Sequence, residues 1–468
     1  MWRQRFRRAA GDSVRRHTEG ASGHRLPGYR ESLRFHDGRG ARCQAAAGST
    51  RRVWRRAMQR IAVIGGGITG VTTAHALLKR GLDVTLYERN RYAAMETSFA
   101  NGGQLSASNA EVWTHWPTVL KGLRWMLRAD APLLVNPKPS WHKLSWFAEF
   151  MAAIPRYADN TTETARLAIA ARDHLYRWAR EENIEFDLER RGILHIYRDH
   201  KSFAHAEKVS ELLAKGGLER RAVTPEEMRA LEPNLAGDYY GGFFTESDAT
   251  GDIHKFTQGL AAAIERRGVT TRYGMEVREV GADADGAWVA TELGREEFDG
   301  LVVCAGVGSR GLAARLGDRI NVYPVKGYSI TVHLDDRASR EAAPMVSLLD
   351  DEAKLVTSRL GADRFRVAGT AEFNGINRDI RHDRIRPLID WVEQCFPGVS
   401  TRRVVPWAGL RPMLPDMMPR VGRGRLPSVF YNTGHGHLGW TLSAITAELV
   451  ADAVTVAEAG RASPSLAR

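Results

Sequence analysis

An apolar run, Ile61 to Ile64, opens the patterned part of the chain and reads as a strand buried on both faces, as in a parallel sheet. Gly65-Gly66-Gly67-Ile68-Thr69-Gly70 follows, and a helical pattern then runs to about Arg80, where Gly81 stops it. Asp83 to Tyr87 forms a second strand ending at Glu88. From Trp113 to Trp146 five tryptophans and several leucines suggest a helical cap on the core, or else a patch for a membrane or an electron-accepting partner. Helices are expected over 159–185, continuing at least to Arg180, over 201–215, and over 225–231, where Thr224-Pro225-Glu226-Glu227 makes a capping pattern. Strands are expected over 192–197 and at Gly241-Gly242-Phe243-Phe244, a helix from His254 to Arg267, and strands over 269–280 and 287–293.

Asp299 to Gly306 returns to parallel-sheet character. The chain thus begins a strand–helix–strand unit, leaves it for about 170 residues and comes back, which predicts an α/β protein with a discontinuous Rossmann-like domain. The second domain carries a mixed, largely antiparallel sheet drawn from Val322–Val332, Leu355–Ser358 and Phe365–Gly369. The expected division is 1–57 leader, 58–110, 251–315 and 406–468 dinucleotide domain, and 111–250 and 316–405 substrate domain.

Each glycine of the first turn has a physical task. Gly65 makes the tight turn, Gly67 admits a pyrophosphate to the backbone, and Gly70 lets the helix pack closely. The helix start offers N–H groups and a positive dipole end to the diphosphate. Glu88 lies 18 residues after Gly70, where an acceptor for ribose hydroxyls belongs. A lone GxGxxG would be weak evidence, and a turn without a ligand would share it; the complete unit around it points to a dinucleotide. Two further matches, Gly306 to Gly311 and Gly434 to Gly439, build no second nucleotide domain. Both can return the backbone to the same large cofactor, which favours a flavin dinucleotide over a second nicotinamide site.

Composition changes the picture mainly at the start. Residues 1–57 hold fifteen Arg against four acids and carry +11 of the formal +12, so the body is near neutral and the basic balance implies no nucleic-acid partner. The leader fits a transit peptide only in part, and a disordered arm on composition; a start placed upstream of the native Met58 accounts for it best. No leader stretch suits a secretory signal, and no run of 18 apolar residues predicts a membrane span. Cys43, Cys304 and Cys395 are isolated, with no CxxC and no His/Cys cluster at metal spacing, so a reducing compartment and no metal are expected.

Three other segments carry candidate chemistry. Glu96 to Gln104 surrounds two glycines with short polar residues, suited to a loop against a polar ligand. Trp407 to Asp416 places Arg411 in a Gly/Pro-stiffened turn among apolar neighbours. Such an Arg can fork a carboxylate or serve a structural ion pair. His435 in its glycine-rich turn can be a base or polar contact, though structural use is commoner.

Together, Ile61–Gly70, Glu96–Asn101, Tyr323–Ser329, Trp407–Asp416 and Asn432–Thr441 resemble the D-amino acid dehydrogenases, small FAD-containing members of the D-amino acid oxidase group. The resemblance spans Met58 to about Glu458. It implies FAD and oxidation of a free D-amino acid, small apolar ones such as D-alanine among them, to a 2-oxo acid and ammonia. It further implies electron transfer to a respiratory acceptor, a quinone or carrier, by a cytoplasmic protein peripheral to the bacterial inner membrane. By motif, the expected FAD contacts run from Ile61, Val63 and Ile64 through Gly65, Gly66, Gly67, Ile68, Thr69 and Gly70 to Glu88 and Arg89. They continue with Ser98, Asn101, Gly102, Val277, Ala305 and Gly306, and end with Gly434, His435, Gly436, Leu438 and Gly439. Arg411 is the expected carboxylate anchor, with Tyr328 as a second donor. Gly103 and His437 depart from the family pattern close to the flavin. A glycine or sarcosine oxidase using oxygen, or a flavin-binding subunit without turnover, would share the fold; the intact Arg411 speaks against the latter.

Overall fold

A computed structural model describes residues 60–125 and 132–462; the leader, Met58 and Cys43 lie outside the described residues. Five parallel strands and one antiparallel edge strand form the first sheet, in the order Arg420–Arg423, Val429–Thr433, Gly300–Val303, Arg60–Ile64, Asp83–Glu88, Thr270–Tyr273. Arg60–Ile64 is central because it pairs on both sides, with Gly300–Val303 and Asp83–Glu88, and its side chains from Ile61 to Ile64 are buried on both faces. Helix Ile68–Leu78 covers one face, beside Ile253–Arg266 and the last helix, Gly439–Ala462.

The second sheet has nine strands. Its path runs Val404–Met413, Tyr323–His333, Arg364–Phe373, Leu355–Leu360, Ser347–Asp350, Ile193–Tyr197, Gly241–Thr245 and Arg221–Val223, with Leu133–Val135 added alongside Arg364–Phe373. All pairings are antiparallel except Ser347–Asp350 with Ile193–Tyr197 and Leu133–Val135 with Arg364–Phe373, which is the mixed, largely antiparallel sheet expected. Helix His382–Cys395 packs Ile385, Leu388 and Trp391 against one face.

Several local expectations need correction. Trp407–Asp416, expected to turn around Arg411, lies up to Met413 in the strand Val404–Met413, which pairs with Tyr323–His333 along its length. That strand lies at the sheet edge, where prolines such as Pro406 and Pro412 are tolerated because half of the backbone groups need no partner. The expected boundary at 405/406 therefore falls inside this strand. Residues 269–280 form two strands in different sheets, Thr270–Tyr273 and Glu279–Ala282. Gly274, at φ +67°, breaks the run. The Trp-rich segment provides helices Trp116–Trp125 and Trp141–Ala153; Trp146 is buried in the core while Trp141 is 80% exposed. Gly436–Ala457 is long and apolar enough to cross a membrane by length and average composition, although it is no unbroken apolar run. In the fold it is a core helix, with Trp440, Ala444, Ala447, Val450 and Val454 buried against Ile68–Leu78 and Tyr157–Glu181.

Candidate active site

The glycine turn is held by its neighbours before any ligand is considered. Gly65 donates its N–H to the Tyr87 carbonyl at 2.8 Å, sits at φ +111°, and would drive a Cβ to 2.6 Å from the Cys304 carbonyl oxygen. Gly66 donates to Glu88 Oε2 at 2.7 Å, and Ile68 donates to Ser98 Oγ at 3.0 Å. A Cβ on Gly70 would fall 1.7 Å from the Gly65 carbonyl oxygen. Gly67 differs: a Cβ there meets only Ser98 Oγ, at 3.5 Å, an ordinary contact. The protein's own packing does not demand glycine at 67, whereas a diphosphate passing over the turn would.

Beyond the ends of the parallel strands lies a cavity of about 770 Å³, where open α/β sheets bind their ligands. Glu88, Arg89, Val277, Ala305 and Gly306 line it on the parallel-sheet side. Ser98, Asn101, Gly102 and the turn Gly434-His435-Gly436 with Leu438 and Gly439 continue the wall. Gly306, Gly434 and Gly436 all have left-handed backbone, at φ +53°, +79° and +59°, so backbone rather than side chains faces much of the space. Glu88 uses Oε1 on Asn90 and Oε2 on Gly66, which fixes the carboxylate at the cavity wall. This long, glycine-lined cradle fits an elongated dinucleotide. Of the expected contacts, Ile61, Val63, Gly66 and Gly70 do not line it. Ile61 and Val63 point into the apolar core, Gly66 packs on Glu88 and Gly70 on the Gly65 carbonyl; their part is to build the turn.

The opposite wall is the edge of the large sheet. Arg411 pairs with Val325 across the strands Val404–Met413 and Tyr323–His333, and its guanidinium lies over the neighbouring Gly327: a Cβ there would sit 2.3 Å from Arg411 Nη1. Arg411 donates to the Thr370 carbonyl at 2.8 Å and the Gly369 carbonyl at 3.4 Å. Those carbonyls are aimed by a register shift opposite Gly327, where Lys326 pairs with Glu372 but Tyr328 with Gly369, and where Thr370 adopts φ +57°. Among the described residues no carboxylate bonds Arg411, and burial lowers its pKa to about 10, so it stays cationic at neutral pH. A desolvated cation at a cavity wall with only carbonyl partners favours an anionic ligand.

Tyr328 requires a correction. Its hydroxyl donates to Glu372 Oε2 at 2.8 Å, within a buried network that holds Lys326 Nζ 3.3 Å from Glu372 Oε1. Its ring packs with Ile330, Val332 and Trp391 on the other side of the sheet. Tyr328 borders the cavity, but its phenol is committed to Glu372, so Arg411 is the anchor on this wall. His435 is buried, with Nε2 3.0 Å from Thr446 Oγ1, and burial pulls its pKa down to about 3; it is a structural group in the turn. His437 stacks on Trp113 at 5.1 Å between ring centroids and its Nε2 lies 3.1 Å from the Asn109 carbonyl, with burial lowering its pKa to about 4. Gly103, the other departure, has φ +72° and would push a Cβ to 2.7 Å from Ser358 Oγ. Behind it, Arg366 binds Thr331 Oγ1 and the Asn101 carbonyl and so steadies the 96–104 loop. Sequence reasoning missed Trp407, Glu111, His115 and His205, all of which line the cavity; Trp407 opens the Trp407–Asp416 segment and His115 lies in the Trp-rich one, but neither pattern marks them as cavity residues.

The family described as FAD dependent oxidoreductase matches residues 60–453. The chain belongs to this family. Among its relatives, D-amino acid dehydrogenase 3 of Mesorhizobium japonicum is 63% identical over 400 residues, covering 85% of this chain and 97% of the relative. D-amino acid dehydrogenase of Paramagnetospirillum magneticum is 42% identical over 408 residues, covering 85% and 95%. Crystal structures of a glycine oxidase from Geobacillus kaustophilus (TM-score 0.66, 21% identity, 85% and 95% covered) and an L-proline dehydrogenase from P. horikoshii (TM-score 0.66, 17% identity, 86% and 94% covered) share the fold. As an FAD-dependent oxidoreductase, this chain has the glycine turn, Glu88 and the 434–439 turn available to hold the cofactor along the cavity.

Proposed function

We propose that the protein oxidises free D-amino acids to 2-oxo acids and ammonia, as an FAD-dependent dehydrogenase. The carrying observation is Arg411, a cation whose hydrogen-bond partners among the described residues are carbonyl groups, at the wall of a dinucleotide-sized cavity; the 63% identity to a D-amino acid dehydrogenase supports the same substrate class. FAD, when bound, supplies the acceptor for the hydride that leaves the substrate Cα. Arg411 forks the substrate carboxylate, and its seat on Gly327 fixes how far that carboxylate stands from the sheet. Thr370 and Gly369 carbonyls hold the guanidinium plane, so little side-chain freedom is lost when substrate arrives. Trp113, Trp407 and Leu410 border the same space and exclude water while Cα is oxidised. The resulting imine is hydrolysed to the 2-oxo acid.

The electron acceptor is a respiratory quinone or carrier, reached at the cytoplasmic face of a membrane. Exposed Trp116, Leu120, Trp141 and Leu144 on two successive helices support this, with Arg310 and Arg319 bordering the groove beside Trp141. Aromatic residues beside cations suit an anionic bilayer surface.

The deciding experiment is an anaerobic visible spectrum of the purified full chain. D-alanine is expected to bleach the oxidised-flavin band, while L-alanine and sarcosine leave it. Bleaching by sarcosine or glycine instead would move the activity to the amine oxidases. A protein without flavin absorbance would overturn the assignment.

A further inference from the structure

One wall of the cavity, apart from the Arg411 anchor, gathers three side chains with metal-binding chemistry. Glu111 and His115 come from the loop before helix Trp116–Trp125, and His205 from helix His200–Lys215. Glu111 Oε1 stands 3.4 Å from His115 Nε2 and 3.2 Å from His205 Nε2, and the three ligand atoms lie within 4.8 Å of one another. A tetrahedral ion with bonds of about 2.0–2.1 Å spaces its donors roughly 3.3–3.4 Å apart. Two edges of such a site are therefore already set. The third needs only a small swing of His205, whose side chain is 41% exposed.

The surroundings suit ligation too. Tyr157 donates its hydroxyl to Glu111 Oε1 at 2.7 Å and holds the carboxylate in place. Thr118 Oγ1, 2.9 Å from His115 Nε2, orients that ring and turns aside when the nitrogen is ligated. Two imidazoles with one carboxylate, and no thiolate, match a borderline divalent ion. All three residues border the cavity, so a fourth coordination position opens into it, near Trp113 and its stacking partner His437. We infer that Glu111, His115 and His205 form a three-ligand site for a divalent cation of the zinc type, with its open position toward the substrate cavity.

Equilibrium dialysis of the full-length flavoprotein against zinc chloride tests this without any amino acid present, so its outcome is separable from that of the D-amino acid assignment. One zinc per chain is expected. His115→Asn, His205→Asn and Glu111→Gln should each weaken binding by about tenfold or more, with the flavin spectrum unchanged. His205→Cys, which returns a ligand, should restore much of the affinity and so separates ligation from folding. No stoichiometric zinc in the parent chain, or variants that all bind as the parent does, would overturn the site.

Discussion

A methyl group at position 327 would occupy the space of the Arg411 guanidinium, since the ideal Cβ lies within 2.4 Å of both terminal nitrogens. Gly327→Ala must therefore push the anchor off its seat. The FAD cradle is built elsewhere, so the variant should stay yellow while kcat/KM for D-alanine falls by roughly 100-fold, the scale of a misplacement near 1 Å. Arg411→Lys keeps the charge but loses the fork, and should cost about as much. Stopped-flow flavin reduction across a range of D-alanine concentrations decides this: unchanged apparent Kd and unchanged limiting rate in both variants would show that the carboxylate is anchored elsewhere. Tyr328→Phe belongs to the same series as a contrast, because its hydroxyl serves Glu372 on the other side of the sheet.

Among elements, the first strand–turn–helix was the most legible, because its signals are local: an apolar run, glycines at fixed spacing and an acid at the next strand end. The large sheet was legible as a mixed sheet, but not the face each residue takes. A single register shift beside Gly327 decides which side chains meet the cavity, and nothing in Tyr323–Ser329 announces it. Trp407–Asp416 read as a turn because glycine and proline signal turns, whereas an edge strand also accepts them. Glu111 and His115 meet His205 only through tertiary packing of a helix 90 residues further on. The turn itself gives a prediction. Gly70→Ala sets a methyl 1.7 Å from a carbonyl oxygen and should destabilise the fold by about 1–3 kcal/mol. Gly67→Ala should leave the apoprotein melting temperature essentially unchanged yet lower FAD occupancy, because its Cβ finds ordinary space in the protein alone. Equal loss of melting temperature in both would mean that Gly67 is structural.

For the whole molecule, the exposed pair Trp141 and Leu144, 80% and 54% accessible, makes membrane docking measurable. The full chain should co-sediment with vesicles containing anionic phospholipid, less so with neutral ones, and Trp141→Ser/Leu144→Ser should remain in the supernatant with its flavin intact. Identical sedimentation of parent and variant would place the contact on another surface. A different consequence follows from helix Gly439–Ala462 lying against helix Ile68–Leu78. The glycine turn at 65–70 and the turn at 434–439 line one cavity, so a growing polypeptide presents the fingerprint long before the segment that closes its cradle. Cofactor capture then reports the arrival of that segment: a chain stopped before Val429 would lack a strand of the first sheet and emerge colourless, whereas one that includes the 434–439 turn gains stability from the ligand it has just become able to hold.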